Sequence, residues 1–531
     1  MKVRQFLSLL TLPILCGASL RSRQILEKIA GYQPTTTVTD YNAIAYDQKE
    51  IETLLVLDDE EAFTYAKNVY SSGYASKSYA EINIEDGLPF DVPVGTLFVG
   101  TAVNGNVVTG EAIKDYAQGD ITIRVEYAVS DVQESYVGCR VGGSPYPVTA
   151  GCLVGQGNVT VDGKPDPLVY TYHLNINNDN GRTIKGFTSK AGLRFHPNDN
   201  TNIDFYHDMQ MAVNYYGHAD FADKIIEAAF DGTAAEFEKG TLDFSVYDKI
   251  GRTEVIEKAT AYIAIGMFAI RHLEVALTQC GTPDAPGEVD RAVALYTGAL
   301  QSEDGTGNLF YSLAEKRCRD FKTCGHRGKD SSGTSKVNLE IFEEFRQMQE
   351  NLQNNRCPDA KANKERIAHL YYVPLIQGTL RYAYMTSQSE VWSEKEEAEG
   401  AVFAAAVLPV VNFCSPEDAK LIYENMKPGQ DIKTIFRDVK QAFENNYDCM
   451  QVTCNDVGGI WDNDKKSYKS GARPCGYEEE ADDDRSPGRS FGITLVSLTM
   501  VAAGVAAVWS VSRRRRRVPT TELKVPEGTS A

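Results

Sequence analysis

Apolar residues recur at helical spacing over residues 44–79, with Leu54, Leu55, Ala62, Phe63, Ala66 and Val69 among them, and this pattern places the first core helices there. Between residues 88 and 200 the pattern switches. Gly, Val, Thr and Asn dominate, the run Thr122-Ile-Arg-Val-Glu-Tyr alternates, and Asn104-Gly and Asp162-Gly supply turn chemistry. A β-rich insertion of about a hundred residues is expected. Amphipathic segments then return at 205–230, 252–279, 289–300, 337–353, 361–385, 394–413, 416–426 and 432–443, which predicts a helical domain over residues 201–461. The expected fold class is α+β, mainly α: a helical ectodomain carrying a β-rich insertion.

Both ends of the chain carry a different pattern. Residues 491–511 contain no charged side chain, and as a helix rising about 1.5 Å per residue they reach roughly 31 Å, enough to cross a hydrocarbon core. Ser512 and then Arg513 to Arg517 follow at once, which holds that end in the cytosol. At the other end Lys2 and Arg4 precede an apolar run over 6–16 and the small residues Gly17-Ala18-Ser19, the pattern of a cleaved secretory signal. A lipoprotein reading fails because Leu15, not a small residue, precedes Cys16. The resulting division is a signal over 1–18, an N-terminal helical segment over 19–87, the insertion over 88–200, the helical domain over 201–461, an acidic stalk over 462–490, one transmembrane helix over 491–511 and a cytoplasmic tail over 512–531. This is the plan of a single-pass type I plasma-membrane protein with its ectodomain outside.

The helical region echoes itself. Val213-Asn-Tyr-Tyr-Gly-His-Ala-Asp220 parallels Val411-Asn-Phe-Cys-Ser-Pro-Glu-Asp418, and Ala66-Lys-Asn-Val-Tyr70 matches Ala419-Lys-Leu-Ile-Tyr423. Tyr262 precedes Arg271 by the same nine residues that separate Tyr372 from Arg381. Duplicated helical units facing one another would give such echoes; so would chance similarity among apolar helices.

Composition fits an oxidising exterior. Eleven cysteines become ten once Cys16 leaves with the signal, so five disulfides are the default among Cys139, Cys152, Cys280, Cys318, Cys324, Cys357, Cys414, Cys449, Cys454 and Cys475. Cys318 with Cys324, and Cys449 with Cys454, are close enough to pair locally, and Cys139 and Cys152 flank a Gly/Pro hairpin that they would staple; spacing alone does not fix the connectivity. The leader contributes +2 and the tail +4 to a formal charge of −19, so residues 19–490 carry −25, which argues against a nucleic-acid partner. Asn158-Val-Thr160 is the single glycosylation sequon and is expected on a surface loop.

No nucleophile elbow, His-Glu-x-x-His helix or phosphate loop occurs, and in Arg271-His272-Leu-Glu274 the His and Glu lie two apart on different helical faces, so the chain reads as a binding protein, not an enzyme. Tyrosine is the unusual resource. Twenty-eight are present, clustered at Tyr215-Tyr216, Tyr371-Tyr372 and Tyr382 to Tyr384 beside His218, Asp220, His369 and Arg381. Phenolate and carboxylate oxygens suit a hard trivalent cation, and an arginine or a helix N-terminus holds an accompanying anion.

Several longer runs are more specific. Ala292-Val-Ala-Leu-Tyr-Thr-Gly-Ala-Leu, Tyr311-Ser-Leu-Ala-Glu-Lys-Arg-Cys-Arg-Asp-Phe-Lys-Thr-Cys-Gly and Val373-Pro-Leu-Ile-Gln-Gly-Thr-Leu-Arg-Tyr-Ala-Tyr resemble the algal iron-assimilating proteins, which include the diatom phytotransferrins, or iron starvation-induced surface proteins. Tyr215-Tyr-Gly-x-x-Asp-Phe-Ala-Asp, Glu399-Gly-Ala-Val-Phe-Ala-Ala-Ala-Val-Leu-Pro and Cys454-Asn-Asp-Val-Gly-Gly-Ile-Trp are similar to the same family, and together the runs cover about half the chain. The resemblance implies capture of ferric iron (Fe3+) with carbonate at the cell surface, followed by internalisation into vesicles, with endocytic or reductase partners. Oxygen-donor chemistry selects Tyr216, His218, Asp220, Tyr262 and Tyr372 as candidate metal ligands, and Arg271 and Arg381 as candidate anion holders. His272 departs from the family's pattern and is left out. The competing reading is a non-metal surface adhesion or carbonate-responsive wall protein in which Tyr and Arg only pack.

The topology has a direct test. Protease applied to intact cells is expected to remove an epitope in residues 19–490 and to spare one in 512–531; loss of the tail epitope would overturn the orientation.

Overall fold

The computed structural model describes residues 28–36, 38–57, 59–73, 79–101, 107–112, 114–128, 156–172, 183–193, 207–301, 307–389, 393–430 and 433–476. The expected signal, transmembrane helix and tail, together with Cys139, Cys152 and the Asn104-Gly turn, lie outside the described residues. Within them the chain is mainly α with a smaller β part.

Helices α1 (Thr39–Asn42), α2 (Ile44–Leu55) and α3 (Glu60–Ser72) come first, and Asp59 starts α3 by accepting the Ala62 N–H at 2.7 Å. Leu54, Leu55, Ala62, Phe63, Ala66 and Val69 are all buried in one large core shared with the later helices. The expected insertion is a closed antiparallel barrel. Its strands β1 (Tyr79–Ile84), β2 (Leu97–Thr101), β3 (Val107–Ala112), β4 (Thr122–Ala128), β5 (Gln156–Val161) and β6 (Leu168–Tyr172) pair in the order β1-β4-β3-β2-β5-β6. Alternation puts Ile82, Ile123, Val125, Val159 and Val161 into a second, separate core with Phe98 and Tyr170.

Three boundaries differ from the sequence expectation. Strand β1 begins at Tyr79, ahead of the line drawn at 87, because Ile82 and Ile84 alternate into the barrel rather than continuing a helical stripe. Asn158 lies on strand β5, not on a loop, and its side chain is exposed because Val159 takes the inward position. Helix α4 (Ile184–Leu193) falls inside the span expected to be β-rich and buries Ile184 and Phe187 in the helical core, where Phe187 stacks on Phe268 at 4.2 Å.

The helical body continues with α5 (His207–Tyr216), α6 (Phe221–Asp231), the hairpin of β7 (Ala234–Phe237) and β8 (Gly240–Asp243), and α7 (Lys249–Lys258). Segment 205–230, read as one helix, is two: Gly217 adopts φ 76°, a left-handed conformation that ends α5 and turns the chain into α6. Helix α7 runs through a π-helical segment, Ala259–Ile265, into α8 (Gly266–Thr278). Then follow α9 (Ala285–Thr297), α10 (Phe310–Phe321), α11 (Lys336–Gln353), α12 (Cys357–Gln388), α13 (Glu394–Cys414), α14 (Pro416–Met426), α15 (Phe436–Asn446), α16 (Cys454–Val457), β9 (Trp461–Asp462) and β10 (Ser467–Tyr468). Among the described residues two helices are long and apolar enough to cross a membrane, the continuous Lys249–Thr278 and α13. Their apolar windows are 94% and 78% buried, so both are core helices of this body.

Four disulfides are described. Cys318–Cys324 is the expected local pair and clips the end of α10; Cys280–Cys357 joins the end of α8 to the start of α12. The other candidate local pair, Cys449 with Cys454, does not form: Cys449 bonds Cys414 and Cys454 bonds Cys475. Gln451 at φ 53° and the Thr453 capping box turn the chain between the two cysteines and start α16 at Cys454. The Cys454–Cys475 bond also holds residues expected in the solvated stalk, with Ala472 in the core, so the packed body reaches at least to Cys475.

The N-terminal strap is tied down by one carboxylate. Asp290 on α9, 0% exposed, accepts from Tyr32 Oη (2.7 Å), from the N–H and hydroxyl of Thr35 (both 2.7 Å), from the N–H and hydroxyl of Thr36 (2.8 and 2.9 Å) and from Gln349 Nε2 (2.8 Å). Asp290→Ala is expected to destabilise the protein by about 3 kcal/mol, since the buried Tyr32 hydroxyl and five partly buried hydrogen bonds lose one shared charged acceptor together. Denaturant titration reads the loss, and limited proteolysis is expected to cut within 28–36 in the variant only.

Candidate functional site

Helices α5, α6, α8, α10, α12 and α13 and the π segment wall a partly open cavity whose empty space, counting the solvent at its mouth, is about 530 Å³. Its lining is largely apolar, with Ala212, Phe221, Met267, Phe310, Leu375 and Pro409, and its polar groups are the phenols of Tyr262, Tyr371 and Tyr372 and the carboxylate of Asp208.

Each wall is placed by a local departure from regular helix. Tyr262 sits in the π segment, which inserts an extra residue into the turn and sets the ring between Phe403, stacked at 5.5 Å, and the edge of Phe310, also at 5.5 Å. Gly266 permits that packing, because a Cβ there would stand 2.4 Å from the Phe310 ring. On α13, Pro409 has no N–H, so the Ala405 carbonyl four residues earlier lacks its helical donor. Tyr216 Oη donates to that carbonyl at 2.6 Å instead.

Asp208 joins the cavity to a buried ion cluster. It accepts Tyr372 Oη at 2.7 Å and pairs with the Lys364 ammonium, whose side chain is 6% exposed. Lys364 Nζ also lies 3.3 Å from Glu274 Oε1, an ion contact without hydrogen-bond alignment, and neither oxygen of Glu274 has a hydrogen-bond partner among the described residues. Burial alone would raise Asp208, but Lys364 and the Tyr372 hydroxyl reverse this and hold it below the ordinary carboxylate range. Glu274 goes the other way: burial, only partly offset by Lys364, pushes it up to about 8. Burial pushes Tyr262 up to about 12 and raises Tyr371 and Tyr372 well above an ordinary phenol, Tyr372 also through the Asp208 charge, so all three are neutral near pH 7. The Tyr371 hydroxyl is buried without a hydrogen-bond partner.

A second cluster adjoins Tyr262. Lys258 Nζ contacts Glu257 (2.8 Å), Glu254 (2.9 Å) and Glu399 (3.5 Å), and Lys395 pairs with Glu254. The Lys258 ammonium and the Arg317 guanidinium act electrostatically on Tyr262.

The candidate ligands therefore divide. Tyr262 and Tyr372 line the same cavity. Tyr216 is buried behind its wall, stacked on Phe221 at 4.7 Å, with its hydroxyl committed to Ala405. His218 and Asp220 are exposed at the turn into α6, outside the cavity lining. Arg271 is buried on α8 near Glu274, and Arg381 pairs with Asp320 at 3.2 Å; neither lines the cavity. Sequence reasoning missed Asp208, Glu274 and Lys364. The available signal was a charge on an apolar helix face: Lys364 shares its stripe with Ala368, Tyr371 and Leu375, and Glu274 interrupts the apolar run of α8. Among the described residues no three His, Cys, Asp or Glu side chains converge as a metal cluster, so any metal held here would depend on the phenols.

Comparison with protein-family models, curated proteins and solved structures finds no match to this chain.

Glu274 gives a pH prediction. Its folded pKa is raised, so its contribution to stability is fully present below about 4.5 and is lost as pH rises toward about 8. In that window Glu274→Gln is expected to remove a downward slope of up to about 1.4 kcal/mol per pH unit, read from unfolding free energies across the range.

Proposed function

We propose that this chain is a cell-surface ferric-iron-binding protein of the algal iron-assimilating type, acting in carbonate-dependent, high-affinity iron uptake by internalisation. One observation carries the proposal: Tyr262 and Tyr372, far apart in sequence, meet with Tyr371 and Asp208 around one cavity. Phenolate and carboxylate oxygens are the donors a hard trivalent cation prefers. The reading makes Tyr262, Tyr372 and Asp208 the ligands, with Asp208 taking the place first given to Asp220.

The phenols are neutral in the metal-free site, so ferric ion must displace their protons, and a trivalent charge in a largely apolar cavity supplies the energy to do so. Carbonate enters from the family resemblance: it would add two oxygens and offset the metal's charge. Arg271 and Arg381 remain the proposed anion holders, reached by rearrangement from their present partners. The secretory signal, acidic ectodomain and single span supply the surface location in this reading.

Ferric titration of the purified protein near pH 7 tests it. A phenolate-to-iron charge-transfer band is expected, weakened with at least about a tenfold loss of affinity by Tyr262→Phe or Tyr372→Phe and unchanged by Tyr216→Phe, whose hydroxyl is already committed. Carbonate-free buffer is expected to weaken binding, and a step to about pH 5 to bleach the band as protons reclaim the phenolates. Absence of any band sinks the proposal and leaves the tyrosines as packing residues.

A further inference from the structure

An incoming cation at Asp208 does not meet an empty carboxylate. The Lys364 ammonium already holds one oxygen of Asp208, and Tyr372 donates to the other. Two positive charges about 4 Å apart repel by about 4 kcal/mol at an effective dielectric near 20, so the ammonium must move if a metal is to use that carboxylate. A buried ammonium cannot simply be left without a counter-charge, because an uncompensated buried ion costs several kcal/mol.

The structure holds a receiver ready. Glu274 on α8 is 1% exposed, both its oxygens lack hydrogen bonds, and its Oε1 is already 3.3 Å from Lys364 Nζ. Two buried, unfilled acceptor atoms beside a lysine are a departure from the ordinary rule that buried polar groups are satisfied. The other charged or titratable groups felt at this cluster, Arg271 on α8, His207 on α5 and His369 on α12, are donors or bases and cannot take an ammonium in the same way.

We propose that Lys364 is a resident counter-ion which an incoming metal ion displaces from Asp208, and that Glu274 is the positioning residue that receives the displaced ammonium. The inference rests on the proposed ferric site at this cavity and adds to it a basis for selecting charge. A monovalent cation brings no more charge than the ammonium it must displace and has no advantage over it. A trivalent cation gains three times the attraction to Asp208 and drives the exchange. Glu274, pushed up to about 8 and so mostly protonated near pH 7 in the resting site, releases its proton to solvent as the ammonium reaches it, and it then supplies the counter-charge without the lysine leaving the interior.

The test is a ferric titration of the full-length protein, followed by the charge-transfer band, for wild type, Lys364→Met, Glu274→Gln and the double variant. Lys364→Met removes the competitor and is expected to tighten ferric binding about tenfold or more. Glu274→Gln removes the receiver and is expected to weaken it by about tenfold, but only while Lys364 is present; in the Lys364→Met background the same change is expected to have no effect. Equal or weaker binding by folded Lys364→Met, or a Glu274→Gln loss that persists without the lysine, overturns the exchange while the ferric site itself stands. If Lys364→Met does not fold, Glu274→Gln is compared with the double variant, which removes both charges: tighter binding by the double variant supports the displaced counter-ion, and equal binding overturns it. No ferric binding by wild type overturns the site reading, and the exchange with it.

Discussion

Taking an ammonium out of water costs several kcal/mol unless carboxylates surround it, and two lysines impose that constraint on the helical body. Lys364 reaches from α12 to Asp208 on α5 and Glu274 on α8. Lys258, 19% exposed, reaches from α7 to Glu399 on α13 while holding Glu254 and Glu257 of its own helix. Between them these clusters tie together helices that wall the cavity. An apolar interface tolerates sliding by a turn more readily than a buried ion pair does, because sliding an ion pair leaves bare charge on both sides. The register that places Tyr262 and Tyr372 around one cavity is thus specified by charge as well as by packing.

The echoed Tyr and Arg positions gain meaning in that frame. Tyr372 lies in the Asp208 cluster with Glu274, the carboxylate that Arg271 faces. Tyr262 lies in the Lys258 cluster under the influence of Arg317, and Arg317 shares Asp320 with Arg381. The helices that carry the echoes also pack in matched pairs, α5 on α13 and α8 on α12. The pairs do not follow one another in simple tandem order along the chain.

Much of the fold was legible because long, strongly periodic helices announce themselves. The stripes that mark α11, α13 and α14 in the sequence end within a residue or so of the helices observed. Helix α10 was not legible: Leu313, Ala314 and Phe321 are buried, but Lys316, Arg317, Arg319 and Asp320 crowd the same short stretch and mask its apolar face. The π segment was invisible for a different reason, since it changes the hydrogen-bond ladder while leaving the composition of an apolar helix intact. Of the candidate ligands, Tyr262 and Tyr372 line one cavity whereas His218 and Asp220 are exposed, because residue type near a tyrosine pair says nothing about which way a turn will face. Asp208 is a first-turn carboxylate of α5 and reads as an ordinary helix start until Lys364, remote in sequence, is seen against it.

The cavity's own chemistry explains why its oxygen donors are either neutral or paired. In a largely apolar enclosure an ionised but empty cluster of phenolates and carboxylates would repel itself and pay the full cost of lost hydration. The chain instead keeps the phenols neutral and gives Asp208 both an ammonium and a hydroxyl. Such an arrangement is stable without a guest, yet among the described residues the oxygens of Glu274 and the hydroxyl of Tyr371 are left without hydrogen-bond partners. In the proposed bound state Glu274 would gain its partner as Lys364 leaves Asp208, so the unfilled acceptors of the resting cluster become part of the driving force for filling the site.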